Sequence, residues 1–442
     1  MTRIKVIFAV LCVGLTVLWL DADRVWLTRY SFNQTRLSLL NYSGIIAMGV
    51  LAASLLLALR STATEPYIGG LDKSYRLHKW LGVAALVMIV FHWLWVLQPS
   101  WLVSLGTKTE PLRAPGETRS LLGPALFRNV QGAAIGTGNV AFYAAVILIV
   151  LALVKWIPYR RFLQTHRLLA IVYLGLVFHA IVLLKAAYWT YAIAYAIAAL
   201  MAAGSVAAIY ILFKRVGRTR QAVGAIESVT QHQDGRIVAV KVCLKDRWPG
   251  HNAGQFAFVR FNEGEEPHPF TISSSWQDDG VLSFVIKGLG DFTRALTSKL
   301  NVGSLVTIEG PYGEFNFNGP HRRQVWISAG IGITPFVSRM QHLATQSDGR
   351  IVDLFHATAE PDVRYHEGLA KLAARAGVRL HVWVRAEQGP LDSERILSAV
   401  PEWRSADVWF CGPVDFGKAL QRGFRSAGLP VSDFHQELFH FR

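Results

Sequence analysis

Cysteine is scarce in these 442 residues: only Cys12, Cys243 and Cys411 occur. The number is odd and no two share metal-ligand spacing, which argues against a disulfide framework or a cysteine-ligated zinc site. Charge is scarce as well, at 17%, where a soluble domain has ~25%. With 52% hydrophobic residues, a disordered or collagen-like chain is ruled out. Negative charge is scarcest in one place. Residues 1–226 hold six acids (Asp21, Asp23, Glu65, Asp72, Glu110, Glu117) against 22 Lys or Arg, while residues 227–442 hold 24 acids and 23 bases. The net charge of +15 therefore belongs to the first half, which is also strongly apolar. That combination points to a lipid bilayer and away from nucleic acid. No internal repeat or low-complexity tract is visible.

Six apolar runs fill this half, at 4–20, 41–59, 79–97, 139–157, 167–184 and 189–213. Each approaches the ~20 residues needed to cross a bilayer. The first follows Arg3 and Lys5, as a signal peptide would, but its exit Leu20-Asp21-Ala22-Asp23-Arg24 lacks a small-x-small cleavage site, so a retained span is expected. Basic residues at 3 and 5, at 60–76, at 155–161 and at 214–220 fall on one side of a six-span bundle. That side, with the N-terminus and everything after the sixth span, is expected to be cytoplasmic, in an inner or plasma membrane.

Four histidines fall in or at the ends of the third and fifth runs: His78 with His92, and His166 with His179. Ionisable residues in spans are functional by default. Spacings of 14 and 13 residues separate each pair by about 20 Å along its helix. Both runs cross in the same direction, so each membrane level offers one imidazole from each helix. Facing imidazoles suit six-coordinate haem iron, and two levels suit two haems. Helical phase supports this for His78 and His92, about 40° apart, and not for His166 and His179, about 220° apart on an ideal helix.

At Lys214 the texture changes. Short β-branched runs at 237–244, 255–261, 270–275, 281–287 and 305–309 predict antiparallel strands. From 325 strands alternate with helices: strands 325–329, 351–355, 380–384 and 407–410, helices 335–346, 366–376 and 392–399. This predicts a doubly wound α/β domain with a parallel sheet. The expected organisation is a six-helix transmembrane domain (1–213), a linker (214–221), an antiparallel β-barrel (222–322) and the α/β domain (323–442).

Three segments of the second half carry chemistry. His268-Pro269-Phe270-Thr271-Ile272-Ser273-Ser274 ends a β run and offers hydroxyls to the edge of a planar heterocycle. Lys287-Gly288-Leu289-Gly290-Asp291-Phe292-Thr293 opens a helix and suits a pyrophosphate. Ser328-Ala329-Gly330-Ile331-Gly332-Ile333-Thr334-Pro335 joins a buried strand to a helix, the context of a dinucleotide turn although it is not G-x-G-x-x-G. Cys411-Gly412-Pro413 ends the last predicted strand, at the same crevice of an open sheet.

Together, in this order, these features resemble the ferric reductase / NADPH oxidase superfamily of membrane flavocytochromes. The resemblance spans nearly the whole chain and implies FAD, two b-type haems and NAD(P)H as cofactors, with NADPH slightly favoured. It implies that His78, His92, His166 and His179 ligate haem iron. His268, Pro269, Phe270 and Thr271, with Ser273 and Ser274 nearby, would hold the isoalloxazine and ribityl of FAD. Lys287, Gly290, Phe292 and Thr293 would take its pyrophosphate side. Gly330, Gly332, Thr334 and Pro335 would take the dinucleotide, with Cys411, Gly412 and Pro413 by the nicotinamide. A C-terminal aromatic over the flavin is implied too: Phe439, with Phe441 in reserve. The implied activity moves electrons from cytoplasmic NAD(P)H through FAD and the haems to oxygen or chelated Fe(III) outside. Two rivals stay open: a flavin reductase merely anchored by its spans and serving a cytoplasmic acceptor, and a haem scaffold with a degenerate reductase half.

Overall fold

The computed structural model describes residues 2–23, 32–97, 125–154, 156–232, 236–262, 265–296 and 299–437. They divide into two compact units, one running to Val216 and the other from Gly217, with Gly70–Asp72 grouped with the second.

The first unit is helical: α1 (Thr2–Asp23), α2 (Phe32–Ala58), α3 (Leu71–Val96), α4 (Gln131–Leu153), α5 (Tyr159–Leu183) and α6 (Ala192–Leu212). All six have the length and apolar composition to cross a membrane. Helices α2, α3 and α4 begin well before the apolar runs, because each residue added to an existing helix gains a hydrogen bond whatever its polarity. Small residues let backbones approach. A Cβ on Gly204 of α6 would fall 2.2 Å from the Tyr173 hydroxyl of α5, and that hydroxyl donates to the Met201 carbonyl at 3.2 Å. Backbones run close together in α4 with α5, α2 with α6, α5 with α6, and α1 with α2. Among the described residues, α3 has no such close neighbour among these spans. It reaches the core through Leu77, Leu81, Ala85 and Ile89, a stripe at four-residue spacing.

The second unit holds two sheets. Strands β1 (Gln221–His232), β2 (Ile237–Leu244), β3 (Phe256–Arg260), β4 (His268–Thr271), β5 (Val281–Lys287) and β6 (Leu305–Tyr312) form an antiparallel sheet in the order β4-β3-β6-β1-β2-β5. A bridge between Ile272 and Phe284 brings the segment after β4 to the other edge strand and closes the sheet on itself. Strands β2 and β5 have the bounds predicted from sequence. Strand β1 was not anticipated: three of its inward positions are Ala222, Gly224 and Ile226, so alternation is present but two of the three carry almost no hydrophobic signal.

The second sheet is parallel, in the order β11-β10-β7-β8-β9, built from β7 (Arg323–Ala329), β8 (Ile351–Thr358), β9 (Val378–Val384), β10 (Ala406–Cys411) and β11 (Phe434–Gln436). Helices α7 (Thr334–Thr345), α8 (Val363–Arg375) and α9 (Val414–Ser426) flank it. Val325, Trp326, Ile327, Val408 and Phe410 are fully or almost fully buried, as expected for strands covered on both faces. Helix α9 and strand β11 were also not anticipated. Buried Asp353 on β8 takes Arg323 at 3.0 Å and Arg379 at 3.1 Å. These ion pairs hold the amino ends of β7, β8 and β9 together and leave the carboxyl ends for ligands.

Candidate functional site

In the membrane unit the two helices α3 and α5 bring their histidines together at two levels. The ring centroids of His78 and His166 are 5.7 Å apart, and those of His92 and His179 are 6.3 Å apart. A metal–imidazole nitrogen bond is about 2.0–2.1 Å, and a ring nitrogen lies about 1.2 Å from its ring centre, so two imidazoles sharing one ion stand about 6.4 Å apart. Both pairs are near that separation. The ring nitrogens are also ordered for it. Nδ1 of His78 lies 2.9 Å from the Ser54 carbonyl, that of His92 lies 3.0 Å from the Leu40 carbonyl, and that of His179 lies 2.9 Å from the Ala134 carbonyl. A nitrogen facing a carbonyl donates its proton there, which leaves Nε2 with the lone pair a metal needs. His166 differs: its Nδ1 is buried without a partner, and Phe162 stacks on the ring at 5.1 Å. An apolar cavity at the second level is lined by His92, His179, Leu40, Gly44, Met48 and Phe142. Paired imidazoles, three of them with Nδ1 held by a carbonyl, and an apolar cavity fit haem. The ideal-helix phase of His166 and His179 did not foretell this pairing. His179 leans on α4 at Ala134, whereas His166 stacks on its own helix.

In the β-barrel, β4 is an edge strand, which tolerates Pro269 because no ladder partner needs its missing N–H. Phe270 pairs with Ala257 and Thr271 with Phe256. Beyond the strand, the Ser273 amide donates to the Ser283 carbonyl at 2.8 Å, and the Ser283 amide donates to Ser274 Oγ at 3.0 Å. The Ser274 carbonyl takes both Ser338 Oγ of α7, at 2.7 Å, and His251 Nε2, at 2.9 Å. His268 stacks on Phe292 with centroids 3.7 Å apart, so two of the sequence motifs meet. Burial pushes the His268 imidazole down to about 4, against a smaller opposing pull from Glu265. Lys287 ends β5, and the Leu289 and Gly290 amides both donate to Thr293 Oγ1 at 3.0 Å. A Cβ on Gly290 would meet nothing within 4 Å, so a phosphate has an open approach there.

At the carboxyl ends of the parallel sheet, the turn after β7 meets the turn after β10. A Cβ on Gly332 would fall 2.2 Å from the Cys411 carbonyl oxygen, and one on Gly412 would fall 3.1 Å from the Ala329 Cβ. Gly330 has φ +53° and open space beside it, and Pro335 occupies the first turn of α7, beside Thr334. Pro413 immediately precedes α9. The Cys411 side chain is buried, which raises its thiol well above the ordinary range, with Glu437 adding to the rise. Phe439 and Phe441 lie outside the described residues.

Sequence reasoning passed over His356 at the end of β8. Its Nδ1 lies 2.9 Å from Ser328 Oγ, and burial, with a further push from His366, lowers it to about 4. Burial and Asp362 push neighbouring Tyr365 up to about 12. The only available signal was a histidine in an apolar strand, which usually means a satisfied core residue. Arg36 of α2 caps the end of α3, donating to the carbonyls of Trp95 at 2.8 Å and Val96 at 3.0 Å.

Comparison with known families bears on the whole arrangement. Residues 43–177 match the ferric reductase like transmembrane component, residues 227–316 an FAD-binding domain and residues 326–422 an oxidoreductase NAD-binding domain. The chain has the ferric reductase/NADPH oxidase-type architecture. Its second half thus carries an FAD-binding and an oxidoreductase NAD-binding domain, and its first half has six helices long and apolar enough to cross a membrane. Among curated relatives, the glycine betaine monooxygenase reductase subunit of Chromohalobacter salexigens is 28% identical over 42% of this chain and 55% of its own. The NADPH oxidoreductase of Mycobacterium tuberculosis is 33% identical over 47% of this chain and 52% of its own. The chain thus spans about half the length of the curated relatives it matches. A solved FAD/NAD-binding domain of nitric oxide dioxygenase from Vibrio cholerae is 21% identical, covering 49% of this chain and 97% of that one with a TM-score of 0.43.

Proposed function

We propose that this reductase carries electrons from cytoplasmic NAD(P)H through FAD and two bis-histidine b-type haems to molecular oxygen or chelated Fe(III) on the opposite face of the membrane. The observation that carries this reading is the pairing of four half-buried imidazoles at two levels, His78 with His166 and His92 with His179, at separations near that of two imidazoles sharing one metal ion. Bound FAD supplies hydride acceptance and single-electron release, and haem iron supplies one-electron carriage. The chain supplies position. Ser54, Leu40 and Ala134 hold three imidazoles with Nε2 presented inward. His268, Pro269, Phe270 and Thr271, with Ser273 and Ser274, hold the flavin ring and ribityl, and Lys287, Gly290, Phe292 and Thr293 take its pyrophosphate side. Gly330 and Gly332 admit the dinucleotide to the turn that Cys411, Gly412 and Pro413 complete. Phe439 is assigned to cover the flavin. The haem-binding part is taken as 1–213, the FAD part as 222–322 and the dinucleotide part as 323–442, with 214–221 between.

Support for NADPH over NADH comes from Arg364, which lines a cavity of about 440 Å³ at the start of α8 with Tyr365 and His232. A guanidinium there suits a 2′-phosphate.

An anaerobic difference spectrum of the detergent-purified protein, titrated with NADPH, NADH and then dithionite, tests the reading. Reduced b-type bands with a nicotinamide alone are expected, and admitting oxygen or a ferric chelate then separates the acceptors. A folded, haem-supplied protein without haem bands would overturn the path and leave an anchored flavin reductase. Haem bands that only dithionite raises, with FAD bound and either nucleotide present, would leave a haem scaffold.

A further inference from the structure

Helix α4 opens with three glycines, Gly132, Gly136 and Gly138. In a helix glycine is less favourable than alanine, so each needs a reason. Gly132 and Gly136 have open space where a Cβ would stand. Gly138 does not. A Cβ there would fall 2.2 Å from His179 Nδ1 and 2.5 Å from Cε1, an approach no side chain tolerates.

The position of Gly138 explains the contact. The Ala134 carbonyl already accepts the helical bond from residue 138, four residues on. A side chain at 138 leans back toward that carbonyl and covers it. Without one, the carbonyl keeps a face open to a second donor, and His179 Nδ1 takes it at 2.9 Å. The same arrangement recurs more loosely on α2: His92 Nδ1 reaches the Leu40 carbonyl at 3.0 Å, and Gly44, four residues on, would put a Cβ 3.6 Å from the His92 ring. That is ordinary contact, so alanine fits there.

We infer that Gly138 is a positioning residue for the second-level metal ligand: by baring the Ala134 carbonyl it fixes the tautomer and rotation of His179. The inference rests on the two-haem reading above. It assigns to a glycine on α4, which bears no ligand, control over one haem and not the other.

The test compares Gly138→Ala with Gly132→Ala, Gly136→Ala and His179→Ala in the full-length, haem-supplied protein. Haem per FAD is measured by pyridine haemochrome and flavin release, and a potentiometric titration counts the components. Gly138→Ala is expected to halve haem per FAD, or to leave both haems with one component shifted in potential and altered in its low-spin electron paramagnetic resonance signal. The component affected must be the one His179→Ala removes. Gly132→Ala and Gly136→Ala should match wild type. A Gly138→Ala protein with wild-type haem content, potentials and spectra would overturn the inference. So would loss of FAD and both haems together, which marks a general packing role. Wild-type protein without haem would instead sink the two-haem reading, a separate outcome.

Discussion

Gly332 and Gly138 show how a glycine becomes obligatory through a neighbour remote in sequence. The motif around Gly332 was legible because strand, glycines and helix follow one another directly. The reason for the glycine was not, since the clashing atom is the carbonyl of Cys411, at the end of the neighbouring strand β10. Overpacking of this kind costs about 1–3 kcal/mol. Gly332→Ala is therefore expected to raise the KM for NAD(P)H by about tenfold or more while FAD stays bound, as steady-state reduction of an artificial acceptor and flavin release would show. His356 yields a second prediction. Its folded value, about 4, lies below its ordinary 6.5, so the unfolded chain binds the extra proton first. Its contribution to stability is complete above pH 6.5 and fades as pH falls toward 4. His356→Gln should narrow the gap in thermal midpoint between neutral and mildly acidic buffer; an unchanged gap would show that other groups set acid sensitivity.

Elements were legible where pattern and period agreed. Strands β2 and β5 alternate strongly and carry Val, Ile and Phe, and their bounds could be read directly. Strand β1 alternates as well, but Ala222 and Gly224 are too small to mark a face. Helix α8 begins earlier than its apolar spacing suggested because Asp362 Oδ1 accepts from the Tyr365 amide at 3.0 Å and caps it. Asp362→Ala should cost about 1 kcal/mol, read as a lower denaturation midpoint with unchanged haem spectra. Thr293 acts alike on the turn after β5, where its hydroxyl gathers the Leu289 and Gly290 amides. Thr293→Val should loosen that turn and raise the fraction of protein purified without FAD. For the membrane histidines, spacing alone located the two levels. The carbonyls that orient three of the rings lie on α2 and α4, helices that no histidine marks.

At the scale of the whole molecule, the split in charge is the division of labour. A basic apolar half meets lipid, and a charge-balanced half handles nucleotides. On the proposed path His92→Ala should leave NAD(P)H reduction of FAD intact and bring reduction of a membrane-impermeant ferric chelate to background in sealed, right-side-out vesicles loaded with NADPH. Equal rates in wild type and variant would favour the anchored reductase. Among the described residues, α3 is held to the bundle by side chains rather than by close backbone packing, through its Leu77, Leu81, Ala85 and Ile89 stripe and the hydrogen bonds of His78 and His92 to α2, and lipid adds no hydrophobic drive between spans. Prosthetic groups bridging α3 to α5 would then act as the mortar of the bundle, and ligand binding of that kind stabilises by mass action. Cells starved of haem should accumulate less of this protein, not merely a colourless form of it, so that its abundance becomes a gauge of haem supply.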